Sequence, residues 1–129
     1  MGIEADLYNF LDTKLNYDVY AGKAPKGKNE SLIIKKIFKN TEYSHEGNSG
    51  LCYVDYQFDA YSAKKEDAIS IREDLKNEIE DYIGDMGDSE NESENTTVQG
   101  VFLKNEFDDF EDDSKLYRET QEYRIQYYE

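Results

Sequence analysis

A handful of places in this chain carry residue types and spacings that could do chemistry. Gly22 to Asn29 reads Gly-x-x-x-x-Gly-Lys-Asn, one residue away from a phosphate-binding P-loop, whose last position needs a Ser or Thr hydroxyl to hold magnesium. A P-loop also follows a buried strand and opens a helix, whereas here Pro25 sits mid-loop and an apolar strand comes next, so a solvated lysine-rich connection is the better reading. His45, the only histidine, stands beside a Gly-rich turn with no second His or Cys in view, which reads as a surface residue rather than a ligand or base. Cys52 falls among apolar residues with no basic neighbour to activate it, an inert core thiol rather than a nucleophile. The acidic run Asp85, Asp88, Glu90, Glu92 and Glu94 fails as a calcium loop because the sixth position counted from Asp85 is Glu90, where a glycine is required. The sequence therefore predicts no enzyme, no cofactor and no metal centre.

Charge is the strongest compositional signal. Fifteen Lys and Arg against 30 Asp and Glu give a net charge of −15, and the surplus is uneven. Residues 1–60 hold 7 Lys against 9 acids, while residues 61–129 hold 8 basic residues against 21 acids. Binding to nucleic-acid phosphates draws its affinity from Lys and Arg displacing counterions, so a chain of this charge is expected to repel DNA. The lone cysteine excludes an intramolecular disulfide, and the N-terminus has neither the basic start nor the apolar run of a secretion signal, which predicts synthesis in the cytosol. No apolar run approaches membrane-spanning length. Twelve Tyr and six Phe nevertheless supply enough large apolar surface for one core in a chain of 129 residues.

The elements follow from periodicity. Ile3, Leu7, Phe10, Leu11 and Leu15 recur at helical spacing and predict an amphipathic first helix. Tyr17 to Asn29 reads as a connection, and Leu32 to Phe38 as a strand rich in β-branched residues. Gly47 to Gly50 turns the chain into Leu51–Tyr61, where Cys52, Val54, Tyr56, Phe58 and Ala60 share one face and Asp55, Gln57 and Asp59 the other. Ser62 is placed to cap a second helix whose stripe is Ala68, Ile71, Arg72, Leu75, Ile79 and Tyr82, with Gly84 ending it. Glu66, Asp67, Glu73, Asp74, Glu78, Glu80 and Asp81 form its solvated side. Residues 84–97 read as a mobile acidic loop within the single domain 1–129. The C-terminal block reads as a hairpin. Its first limb carries Val98, Val101, Phe102 and Leu103, and its last limb alternates Tyr117, Tyr123, Ile125 and Tyr127 against Arg118, Thr120, Glu122, Arg124 and Gln126. The segment from Phe107 to Lys115 is too acidic to pack and is expected to form a long charged tip. The fold class expected is α+β, a two-layer sandwich in the order α-β-β-α-β-β, with a mainly antiparallel four-stranded sheet and two helices on one face.

The run Val98-Gln99-Gly100-Val101-Phe102-Leu103, the acidic connection Glu106 to Asp113, and Leu116-Tyr117-Arg118 leading to Tyr123-Arg124-Ile125-Gln126-Tyr127 resemble the C-terminus of the tail-completion (tail-terminator, head-tail joining) proteins of long-tailed bacteriophages. Asp6-Leu7-Tyr8-Asn9-Phe10-Leu11 and Tyr56-Gln57-Phe58-Asp59-Ala60-Tyr61 are similar to the family's opening helix and to the strand entering its main helix. The resemblance implies a virion protein at the head-tail junction that assembles as a ring, typically a hexamer. Its implied partners are further copies of itself, the tail tube protein and the head connector protein, with DNA only as passing cargo and no membrane. The residues expected at interfaces are Ser44, His45, Glu46 and Asn48 in the first hairpin turn, and Asp108, Asp109, Phe110, Asp112 and Asp113 at the acidic tip. The alternative from composition alone is an acidic DNA mimic that occupies the basic cleft of a host enzyme.

Overall fold

The computed structural model describes residues 3–15, 17–22, 30–44, 47–86, 96–112 and 115–128, with the side chains of 38–44 and 47–51 outside the description. Helix α1 (Ile3–Lys14) buries Ile3, Leu7, Phe10 and Leu11, and Leu15 just beyond it is buried too, the stripe that the spacing predicts. Strands β1 (Val19–Ala21), β2 (Ser31–Ser44) and β3 (Gly47–Ser62) follow, then helix α2 (Lys65–Ile79) and strands β4 (Gly84–Met86), β5 (Thr96–Glu111) and β6 (Leu116–Tyr128).

The described strands form one six-stranded sheet in the order β1-β2-β3-β6-β5-β4, where four strands were expected. The four long strands are the predicted ones and pair antiparallel. The two additions are three-residue edge strands. Val19–Ala21 pairs in parallel with Leu32–Ile34, inside what reads as a connection, and Gly84–Met86 pairs antiparallel with Thr96–Val98, at both ends of what reads as a loop. Neither is long enough to show a period, so they are legible only once their partners are in place. Residues 87–95 of the expected mobile loop lie outside the described residues.

One face of β3 and β6 meets the helices. Cys52, Val54, Tyr56, Phe58 and Ala60 from β3, with Tyr123, Ile125 and Tyr127 from β6, join the apolar stripes of α1 and α2 in one core, as the alternation predicts. Phe58 stacks edge-on to Tyr123 with ring centroids 5.7 Å apart. Burial of a large side chain of this kind contributes roughly 1.5–3 kcal/mol, so each ring of this layer is a substantial part of the core.

The sheet curls into a half-barrel, and its register shows where. Pairing shifts between Lys36 and Phe38 and between Thr41 and Tyr43 in β2, and between Val98 and Gly100 and between Leu103 and Asn105 in β5. An extra residue in one strand bends it and raises its twist. At two of these shifts the skipped residue turns outward: Ile37 is half exposed, and Lys104 swings across to Asp55.

The limits of α2 differ from expectation at both ends. The helix starts at Lys65 with no side-chain cap; Ser62 instead accepts a bond from the Lys64 N–H at 3.3 Å, two residues too early to cap it. At the far end Asp81, at φ 62°, takes the left-handed position for which Gly84 was expected, and Gly84 opens β4.

Candidate interaction surface

The predicted interface residues fall at two opposite ends of the sheet. Ser44 pairs with Gly47 and Asn48 with Tyr43 at the closed end of the β2–β3 hairpin, while His45 and Glu46 lie outside the described residues. Strand β3 then runs the length of the sheet to Ser62, which pairs with Tyr117 beside the tip of the β5–β6 hairpin. At about 3.3 Å per residue the two clusters are roughly 45 Å apart and cannot form one site. The side chains of Ser44 and Asn48 are not described, so only the second cluster can be built from its atoms.

That cluster is mostly strand rather than loop. Strand β5 continues to Glu111, with Phe107 facing Thr120, Asp109 facing Arg118 and Phe110 facing Tyr117, so most of the expected charged tip is paired strand. Acidic residues can extend a strand here because neighbouring cations answer them. Asp109 accepts a bond from the Arg118 guanidinium at 3.2 Å, and Glu111 lies 3.6 Å from the same group. The Tyr61 hydroxyl donates to Glu111 at 3.1 Å, and burial together with the charge of Asp59 pushes that phenol up to about 12. Lys65 reaches Asp108 at 3.4 Å. Phe110 packs on the Tyr117 ring at 4.8 Å yet keeps 39% of its surface exposed, with Phe102 and Phe107 more exposed still. Asp112 is exposed in the turn, and Asp113 lies outside the described residues.

Two polar groupings went unread in the sequence. On the core side, Arg72 of α2 lies 3.5 Å from both Glu106 and Glu119 and bonds Glu73 at 2.9 Å. Gln121 donates to Glu106 at 2.7 Å, and the Tyr123 hydroxyl donates to Gln121. Burial pushes the Glu119 carboxyl above its usual range, and Arg72 only partly offsets this. The signal was present: Arg72 interrupts an apolar helical stripe, and Glu119 and Gln121 interrupt the apolar parity of β6. On the opposite face, Asp55 receives both Arg124 nitrogens at 2.8 and 3.1 Å and Lys104 at 2.9 Å, and Arg124 lies over the Tyr53 ring. Asp59 accepts from Thr120 at 2.7 Å and from Gln57, and lies 3.3 Å from Lys35. Asp55 and Asp59 are both buried, although the alternation reads as a wet face.

These groupings hold strands together and leave no reacting atom poised. Among the described residues no group of three His, Cys, Asp or Glu side chains could hold a metal ion, and Cys52 is buried in the core. A polar groove of about 240 Å³ beside Lys14, Leu15, Asp74, Asn77 and Glu78 is open to solvent and presents no nucleophile. No described helix is long and apolar enough to cross a membrane.

No protein-family profile and no curated protein matches the chain. Among solved structures, it is similar to a chain in the virion of a native gene transfer agent particle, with a TM-score of 0.60 and 11% identity, covering 92% of this chain and 84% of that one. The likeness is one of fold. It runs along most of both chains rather than a local fragment.

Proposed function

We propose that this protein is a structural component of a phage-like virion, and within it a tail-completion protein that closes the head-proximal end of the tail tube as a ring and joins it to the head connector. The observation that carries the reading is a fold shared along nearly the whole chain with a virion chain of a gene transfer agent particle. The resemblance of the C-terminal hairpin to tail-completion proteins supplies the finer position. A protein whose buried carboxylates Asp55, Asp59 and Glu119 answer cations of neighbouring elements, with two hairpins reaching out at opposite ends, is suited to work by geometry at shared surfaces.

In a ring the charge gains a purpose. Six copies at −15 each sum to roughly −90, a field that keeps a polyanion from adhering as it moves through. The test is to delete the gene from the phage or prophage that carries it and image the lysate. Filled heads without attached tails, or tails of uncontrolled length, with rescue by the gene supplied in trans, support the role. Normal particles sink it, as does a purified protein that binds a host nuclease and is absent from the virion, which is the outcome expected of a DNA mimic.

A further inference from the structure

Four long strands leave this sheet with two long edges that are open for most of their length. On β2, β1 covers only Leu32–Ile34, and the Gly22 N–H bonds Ile34 at 2.9 Å; from Lys35 onward no described strand pairs with that edge. On β5, β4 covers Thr96–Val98, and the Asp81 N–H bonds Val101 at 3.1 Å; from Phe102 to Glu111 that edge is likewise open among the described residues. Open N–H and C=O rows are a template for another strand.

The two edges are opposite in charge. Strand β2 carries Lys35, Lys36 and Lys39 against the single acid Glu42, in a chain with twice as many acids as bases. Strand β5 from Phe102 and the turn beyond it carry Glu106, Asp108, Asp109, Glu111 and Asp112 against Lys104 alone. Each edge also exposes large apolar side chains, Ile37 on one and Phe102, Phe107 and Phe110 on the other. A like edge would repel a like edge, and the unlike pair attracts.

We propose that copies of this chain join head to tail, with the basic edge of β2 on one protomer seated against the acidic, phenylalanine-bearing edge of β5 on the next. The inference rests on the ring reading above and supplies the joint of that ring. Because β2, β3, β6 and β5 alternate in direction, β5 and the β2 of a neighbour carried round an axis to which the strands are tilted meet antiparallel and offset along their length, and the sheet continues from copy to copy. Register fixes the fit. Lys36 stands level with Leu103 and Leu32 with Asp108, so a slide of four residues along the strands brings Lys36 opposite Asp108. Closed sheets stagger by about one residue per strand, which over four strands is a slide of that size.

The test uses two variants of the full chain, Lys36→Glu with Lys39→Glu, and Asp108→Lys with Asp112→Lys, in sedimentation velocity at low and high salt. Wild type is expected to self-associate and to weaken with salt. Each variant alone should weaken association on the order of a hundredfold, and an equimolar mixture should recover it, because the two altered edges complement each other in alternating rings. As a second measurement, the chain carrying both Lys36→Cys and Asp108→Cys should give a ladder of covalent oligomers on oxidation. Within one protomer those positions lie three strand spacings across and four residues along, on the order of 20 Å apart, beyond the reach of a disulfide. The proposal is overturned by a wild type that stays monomeric at any salt, by variants that assemble as wild type does, by a mixture that fails to recover, or by a cysteine chain that oxidises without a ladder. A monomeric protein still found at the head-tail junction of labelled particles would overturn the joint and leave the virion role standing.

Discussion

Strands β3 and β6 are buried toward the helices and partly buried on the other face, by different chemistry. Toward the helices they offer Val54, Tyr56, Phe58, Tyr123 and Ile125, all essentially without solvent contact. Away from the helices the same strands bury Asp55, Asp59 and Thr120, covered by the long side chains of Lys35, Lys104 and Arg124 that reach across from neighbouring strands. Apolar burial is non-directional and sets how stable the sheet is, whereas each buried carboxylate demands particular partners at particular positions and so penalises a slipped register. The helix side holds the sheet together, and the other side tells the strands how to align.

The largest test removes material from the apolar side. Phe58→Ala leaves a cavity between Tyr56 and Tyr123 and is expected to cost about 3–5 kcal/mol. Domains of this kind have about 5–15 kcal/mol in total, so urea denaturation should show a lowered midpoint and the variant should sit near its threshold. On the polar side, Asp55→Ala is expected to cost less, about 1–2 kcal/mol, because Arg124 and Lys104 are each about one-third exposed and can turn to water once released. A cost equal to that of Phe58→Ala would erase the distinction between the two faces. Amide exchange sharpens it further: Asp55→Ala should speed exchange locally along β5 and β6, while Phe58→Ala should speed it throughout the sheet.

How far the sequence could be read follows the same division. The apolar part of the core was legible, since both helical stripes and the parity of β3 need nothing but period and hydropathy, whereas the Arg72–Glu119 grouping on the same side was not. The polar side was not, because alternation classifies Asp55 and Asp59 as solvent-facing and carries no record of a lysine or arginine arriving from two other strands. Edge strands β1 and β4 were missed for want of length. Asp6, which falls outside the apolar stripe of α1, is buried and accepts bonds from the N–H and hydroxyl of Thr96, ninety residues away, a contact with no local signal. Of the residues expected at interfaces, Asp108, Asp109 and Phe110 lie on a paired strand where a charged loop was expected, since acids that look too polar to be ordered are answered there by Arg118 and Lys65.

Titration offers a smaller effect with opposite signs in the two groupings. Burial alone would raise the Asp55 carboxyl, but its bonds to Arg124 and Lys104 outweigh that and hold it below the usual range. Unfolded chains then bind more protons at this site, so its contribution is present above the ordinary aspartate range and is lost as pH falls through the lowered value. Glu119 behaves inversely, because burial raises it. Folded chains hold its proton longer, and stability falls as pH rises from the ordinary glutamate range through the raised value. Glu119→Gln should therefore flatten the stability profile just above the ordinary glutamate range, and Asp55→Asn should flatten it below the ordinary aspartate range, both read from urea midpoints across acid pH. Identical profiles for the two variants would show that the carboxylates are not held by different environments.

The smallest expected effect on stability lies where neither face is in play. Phe107 lies at the open edge of β5 opposite Thr120, with 45% of its surface exposed. Replacing it with serine removes no core contact and leaves the Asp109–Arg118 pair beside it untouched, so the urea midpoint should move by no more than about 0.5 kcal/mol equivalent. A buried aromatic is retained for stability, as Phe58 is; an aromatic held in water on a strand edge gives the isolated protomer almost nothing and adds a hazard of sticking. If Phe107→Ser leaves folding intact yet weakens self-association, the edge is an interface whose contacts form only between copies. If it destabilises the monomer as Phe58→Ala does, Phe107 belongs to the core of the protomer, and the boundary drawn between the sheet's interior and its edges is in the wrong place.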